Sequence, residues 1–495
     1  MARKLGAVTF PLCIRTQDYR NHCIRFKITP KRYTCTVIPH HSSVPESASN
    51  PGSESTQSTF PGPISAAMLE ELGNYVIAEP YPFAIDLEKG NGMTLVTVDG
   101  QELFDWAGYY GSKLIGHNHP GLLDPTYIKR LVTAANNKVA NPDFVTKECL
   151  DYYRLIYRYA PQVMQNPNLE VYVVNSGAEA IENMMKYLIA KYNMKCMSQG
   201  KIPGNRRFIY FDRAFHGRTV YALGVTQTVD PVATKDFVGL GSTGNLKLPF
   251  PSFDSRLSHA DNLSVVEKCL EKVESVLQQM SDDIVGMIVE PIQGAGGNRV
   301  ALPEFFQGLS KLCHQYNVYM AFDEVQTGLG ATGKMWAIDH FTLPHPPMAI
   351  ASGKKWGNGI IYMLEPLKDV GVLDSTWGGN LADMVRVCRE VEIIESENLI
   401  EKASINGELL AQGLKKLEGK HIVMHNVRGM GLYQGFSLDS PERKSKLVKS
   451  ARDNYGLLLL GAGDRTIRTR PNLSVTAEDI TRFLNLLDSS LTSVA

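Results

Sequence analysis

The chain is 495 residues long and 43% apolar, enough for a large core and about two domains. Lys plus Arg and Asp plus Glu both number 51, so there is no charge surplus of the kind that nucleic acid or an anionic membrane surface attracts. No run of 18 or more apolar residues offers a membrane span. The eight cysteines form no C-x-x-C pair, which argues against a zinc site and a disulfide scaffold and fits a reducing compartment.

The first 60 residues differ from the rest. Before Glu46 the only acid is Asp18, whereas Arg3, Lys4, Arg15, Arg20, Arg25, Lys27, Lys31 and Arg32 are basic. This leader reads as a mitochondrial transit peptide, with an address-free tail on a cytoplasmic protein as the open alternative. A secretory core at Leu5–Ile14 is interrupted by Pro11 and followed by no small-residue cleavage pattern. Residues 41–60 are Ser/Pro-rich and predicted to be flexible.

From about Pro61 the composition becomes globular. Gly92–Trp106 is predicted to form a hairpin turning at Asp99-Gly100 in a type I′ turn. Strands are predicted at Leu169–Val174, Arg207–Phe211, Ile284–Ile292 and Val318–Phe322, with helices at Ala178–Tyr192 and Pro303–Tyr316. Repeated β-α alternation with apolar strands implies a mostly parallel sheet buried on both faces. From about Gly378 two long helical stretches follow, then strands near Met430–Phe436 and Leu457–Leu460. A closing helix begins at Thr476, with Asp479 as its capping-box partner. This last part reads as a smaller α+β domain.

Ligands of open α/β sheets bind beyond the carboxyl ends of the strands. Ser176-Gly177-Ala178 opens a helix directly after a strand, where backbone N–H groups and the helix dipole suit a phosphate. Taken alone, Ser and Gly there are equally ordinary cap residues. Asp323-Glu324 closes the strand at Val318–Phe322, and a carboxylate facing a cleft calls for a cation; an isolated Asp-Glu would otherwise be a cap or a surface pair. A pyridinium nitrogen is one such cation, and keeping it protonated makes the ring an electron sink. Lys354 follows 31 positions later within SGKKWGNG, where small neighbours let a ligand approach the backbone. A Schiff-base lysine must be partly desolvated, whereas a bare Lys-Lys pair would be solvated surface.

Together these elements resemble the class III aminotransferases, closest to the lysine 6-aminotransferases and 4-aminobutyrate aminotransferases. The resemblance covers roughly residues 63–490. It rests on NSGAEAIEN (175–183), AFHGRT (214–219), VEPIQGAGG (289–297), AFDEVQTG (321–328), SGKKWGNG (352–359) and STWGGN (375–380). It implies pyridoxal 5′-phosphate as cofactor, no metal, and the fold-type I PLP-dependent transferase architecture. That architecture is α/β, with a mostly parallel seven-stranded sheet in a large domain (121–377) and a smaller α+β domain (378–495) joined by residues 61–120.

The resemblance further implies Lys354 as the Schiff-base lysine and Asp323 as partner of the pyridine nitrogen. Val325 and Phe215 would cover the two ring faces, and Gln326 would reach the ring's phenolic oxygen. Ser176, Gly177 and Ala178 would hold the phosphate. Thr376 would contact it from the neighbouring subunit, so that a homodimer shares its sites. Arg218 matches a position that binds substrate carboxylates in relatives acting on ω-amino acids, and Arg468 the arginine that holds the α-carboxylate of glutamate or 2-oxoglutarate. A guanidinium fork suits either one. Arg470 is the alternative register for Arg468. Glu290 lies near the substrate. One departure stands out: relatives that use glutamate carry an acid five residues beyond that glutamate, and here the position is Ala295.

The motifs favour lysine as amino donor and 2-oxoglutarate as acceptor, with 4-aminobutyrate as the alternative donor. No cysteine falls within NSGAEAIEN to hold the iron–sulfur cluster of the animal 4-aminobutyrate enzymes. Rival classes are a PLP-dependent isomerase or decarboxylase and a non-catalytic binding protein that has kept the fold. Neither nucleic acid nor a membrane is expected as a partner.

Overall fold

A computed structural model describes residues 59–227 and 244–495. The basic leader and much of the insert between Val225 and Phe250 lie outside the described residues. The core is a seven-stranded sheet: β1 (Glu170–Val174), β2 (Arg207–Phe211), β3 (Leu246–Leu248), β4 (Ile284–Val289), β5 (Tyr319–Glu324), β6 (Ala349–Ser352) and β7 (Gly359–Met363), in spatial order β1-β7-β6-β5-β4-β2-β3. Only β7 runs antiparallel to its neighbours, so the expectation of a mostly parallel sheet holds. Every residue of β4, β6 and β7 is buried, as continuous apolar runs require when helices cover both faces. Helix α1 (Gly177–Ser198) packs on this sheet.

Three local expectations need correction. The predicted strand Ile284–Ile292 stops at Val289, because Pro291 has no N–H to continue the ladder; Ile292–Gln293 pairs separately with Arg299–Val300. The hairpin forms, pairing Thr94–Thr97 with Glu102–Asp105, but its turn is not type I′. A type I′ turn needs positive φ at both central residues, whereas here Gly100 is left-handed (φ +82°) and Asp99 is not. The loop has three residues, closed by Thr97 N–H donating to Gln101 O (2.9 Å). Its Asp99 carboxylate instead accepts from the Ile64 and Ser65 N–H groups (2.7 and 3.0 Å), anchoring the helix Pro63–Gly73.

The predicted strand Met430–Phe436 is two strands, Met424–Met430 and Tyr433–Leu438, folded back on each other. Gly431 makes the fold-back in the left-handed region (φ +52°), and a Cβ there would lie 2.4 Å from the Thr332 carbonyl carbon. With Thr466–Arg468 and Leu460–Ala462 these strands form an antiparallel sheet. Leu457–Leu458 joins the hairpin sheet instead, parallel to Glu102–Asp105. The closing helix Ala477–Thr492 carries the expected capping box between Thr476 and Asp479. Among the described residues no helix is long and apolar enough to cross a membrane, and no cluster of His, Cys, Asp and Glu could hold a metal. The five described cysteines are free.

Candidate active site

The carboxyl ends of β1, β4, β5 and β6 open onto one cavity of about 530 Å³, within the ordinary range for small-molecule sites. Gly177, Ala178, Phe215, Arg218, Glu290, Asp323, Val325, Gln326, Lys354 and Arg468 all border it, together with Tyr110, His216 and Ala295. Ten residues singled out in the sequence are thereby brought together. Two others are not in this wall. The Ser176 hydroxyl caps α1 by accepting from Glu179 N–H (3.2 Å), and Thr376 sits on an exposed turn whose Ser375 accepts from Asn175 Nδ2 (3.0 Å).

The start of α1 is closely packed. A Cβ on Gly177 would lie 2.6 Å from Val325 Cγ1, and one on Gly359 would lie 2.1 Å from the Ser176 carbonyl oxygen. Backbone approaches the cavity here because side chains are missing, and the positive end of a 22-residue helix points into it.

Asp323, at the end of β5, is 5% exposed. Its Oδ1 accepts from Val325 N–H (2.9 Å) and its Oδ2 from Nδ1 of His216 (2.7 Å), whose side chain is fully buried. The Nε2 of His216 has no hydrogen-bond partner among the described residues. Glu290, just past β4, accepts from Phe215 N–H through Oε2 (3.1 Å). Burial, reinforced by the charge of Asp323, pushes its carboxyl well above the usual range.

Lys354 follows β6 and Gly353 with φ +49°, a left-handed conformation that a lysine seldom adopts. Burial holds its amine below the ordinary lysine value; Lys355 and Arg468 push the same way, while the Tyr433 phenol and Asp323 oppose. Lys355 diverges. Its Nζ donates to the Gln326 carbonyl and to Tyr433 Oη (3.0 Å) and lies outside the cavity wall. The two adjacent lysines therefore face different environments.

The same separation occurs at the two arginines. Arg468 borders the cavity with its Nε and Nη1 buried and, among the described residues, without a hydrogen-bond partner. Burial lowers its pKa to about 10, opposed by the phenols of Tyr433, Tyr81 and Tyr110 and by Glu290. Arg470 is fully buried and bonded to protein groups on several sides.

These features fit pyridoxal phosphate: a helix start for an anion, a buried carboxylate for a ring nitrogen, a desolvated lysine, and unpartnered guanidinium donors for a carboxylate. Sequence reasoning missed His216, although it lies within AFHGRT, because its contact with Asp323 spans 107 positions. It also missed Tyr110, whose local sequence carries no motif.

Residues 76–491 match the family described as aminotransferase class-III. The chain is 32% identical to an L-lysine-epsilon aminotransferase of Amycolatopsis lactamdurans, over 87% of this chain and 97% of that one. It is 30% identical to a probable mitochondrial 4-aminobutyrate aminotransferase of Caenorhabditis elegans, over 89% and 94%. The solved lysine aminotransferase of M. tuberculosis, in its internal aldimine form, superposes with a TM-score of 0.81 at 28% identity, covering 87% of this chain and all of that one. A match this long, centred on a cavity built for the family's cofactor, makes the chain a member of the pyridoxal-phosphate-dependent class III aminotransferases.

Proposed function

We propose that this aminotransferase moves the terminal amino group of an ω-amino acid, lysine first, to 2-oxoglutarate, yielding a semialdehyde and glutamate. The observation that carries the reading is the shared cavity wall, in which Lys354 and Asp323 lie with two arginines, Arg218 and Arg468. Two guanidinium groups suit a dicarboxylate acceptor. The lysine aminotransferases that the chain resembles support the choice of donor. The C. elegans relative keeps 4-aminobutyrate as the second donor to test.

Bound pyridoxal phosphate supplies an electron sink for charge developing at the substrate carbon. The protein's own groups do the rest. Gly177 and Ala178 receive the phosphate at the start of α1, with Ser176 beside them and Thr376 contributed by a second subunit of a homodimer. Asp323, held by His216, faces the ring nitrogen. Phe215 and Val325 flank the ring, and Gln326 reaches its phenolic oxygen. Lys354 Nζ, desolvated and so easily deprotonated, is the group that would take the proton from the substrate's amine-bearing carbon and pass it to C4′ of the cofactor.

Arg468 receives the α-carboxylate of 2-oxoglutarate, and Arg218 the distal carboxylate. Ala295 stands where an acid would meet Arg468, and Glu290, which acts on Arg468, is itself held toward its protonated form by burial. The leader is proposed to direct the chain to the mitochondrial matrix, which a fusion of residues 1–60 to a fluorescent protein checks.

A screen of amino donors with 2-oxoglutarate, reading glutamate formed, tests the assignment. Lysine is expected to give the largest kcat/KM. If lysine, ornithine, 4-aminobutyrate and other ω-amines all leave glutamate at background while the cofactor is bound, the donor assignment fails.

A further inference from the structure

Arg470 is fully buried, lies two residues past Arg468, and is not part of the cavity wall. Its Nε and Nη2 donate to Gln326 Oε1 (3.2 and 3.0 Å), Nη2 also donates to Asn298 Oδ1 (2.8 Å), and Nη1 donates to Thr469 O (2.7 Å). The guanidinium carbon stacks 3.8 Å from the centre of the Tyr433 ring. All of these partners are neutral groups. A desolvated cation without a carboxylate is costly, and burial pulls the pKa of Arg470 down to about 9. Such a cost points to a role that an apolar side chain could not fill.

The chemistry of the contact suggests the role. A guanidinium has five donors and no acceptor, so the end of the Gln326 amide that meets it must be the oxygen. Nε2 then occupies the other end of a residue that borders the cavity; there, among the described residues, it reaches the Tyr110 carbonyl, at 3.4 Å. The backbone of the same residue is held as well, because its carbonyl accepts from Tyr433 Oη (2.7 Å) and from Lys355 Nζ. Gly294 leaves room for the arrangement: a Cβ there would lie 2.1 Å from Gln326 Oε1.

We propose that Arg470 is a positioning residue, fixing the Gln326 amide so that its N–H donor end, not its oxygen, meets the ring oxygen of bound pyridoxal phosphate. The proposal rests on the reading that Gln326 reaches that oxygen. Arg470→Lys keeps the buried charge but removes the fork. Gly294→Ala displaces the amide oxygen while leaving Arg470 intact, and so keeps the question open to test if the lysine variant fails to fold.

Both variants, Gln326→Ala, and each variant combined with Gln326→Ala are to be compared. The readouts are the dissociation constant of pyridoxal phosphate and the pH midpoint of the bound cofactor's visible absorption. Each single variant is expected to raise the dissociation constant on the order of tenfold, the loss of one hydrogen bond to a charged group, and to move the midpoint upward. Added to Gln326→Ala, neither changes anything further. Equal effects with and without Gln326, or no effect of either single variant, overturn the proposal. A Gln326→Ala protein that binds the cofactor like the wild type, with an unmoved midpoint, overturns the underlying role of Gln326 and this proposal with it.

Discussion

Adjacent residues of one type acquire different chemistry from the direction in which each is aimed. Lys354 borders the cavity and loses basicity to burial, while Lys355 is tied to Tyr433 and to the carbonyl of Gln326. Lys354→Ala is therefore expected to abolish the cofactor's protein-linked absorption band and to lower kcat by about 10³-fold or more, the usual contribution of a positioned proton-transfer group. Lys355→Met should keep the band and lose less than about tenfold in kcat. Absorption spectra and initial rates of both variants decide whether the register is right. His216 supplies a second expectation, because its Nδ1 is a close partner of the buried Asp323 carboxylate. His216→Leu leaves Oδ2 without that donor, a loss of roughly 1.5–3 kcal/mol for a bond to a charged group, or about 10- to 100-fold in kcat/KM. Steady-state rates, alongside cofactor content to exclude simple loss of binding, measure it.

At the level of elements, the site forms where strand ends meet helix starts, and β5 contributes twice. Asp323 points toward the cavity, whereas its neighbour Glu324 is fully buried, accepting from Ile338 N–H (2.7 Å) and from the Thr327 hydroxyl. Burial raises the Glu324 pKa to about 7 from an ordinary 4.5. A carboxyl whose folded-state pKa is raised binds its proton more tightly in the folded protein. Its contribution is thus full below the unfolded value and declines as pH rises through the window from about 4.5 to about 7. The loss is at most about 3 kcal/mol, from a shift of this size at 1.36 kcal/mol per unit. Glu324→Gln should remove this decline. Urea unfolding of both proteins across that window checks it, and parallel curves would show that Glu324 does not titrate as described.

For the whole molecule, the described chain builds nearly all of the cavity by itself, with Thr376 on an exposed turn outside it. If a second subunit supplies Thr376, two defective variants should rescue each other. A mixed dimer of Lys354→Ala and Thr376→Ala subunits contains one site with both residues intact and one with neither. Random re-pairing makes half the dimers mixed, so activity should recover to about a quarter of the wild-type value. Rates measured before and after mild dissociation and reassociation test this; no gain on mixing argues that Thr376 serves its own subunit or no site at all.

The local order of residues marked the strand ends where a ligand could sit, because strand, turn and helix start are contiguous in NSGAEAIEN and AFDEVQTG, while the cofactor itself was implied by the family resemblance that the motifs carry together. The same locality made the capping box at Thr476 and Asp479 legible. Pairings across long separations were not legible. The His216–Asp323 contact, the clamp of Arg470 on Gln326 and the antiparallel placement of β7 each join segments that carry no mutual signal in the chain. Lys354 and Arg468 were named from the resemblance and do border the cavity, but the direction each takes is set by the packing of whole elements. Sequence supplied the right groups; tertiary packing decided which of them lost water, and desolvation is what turns an ordinary amine, carboxylate or guanidinium into part of a site.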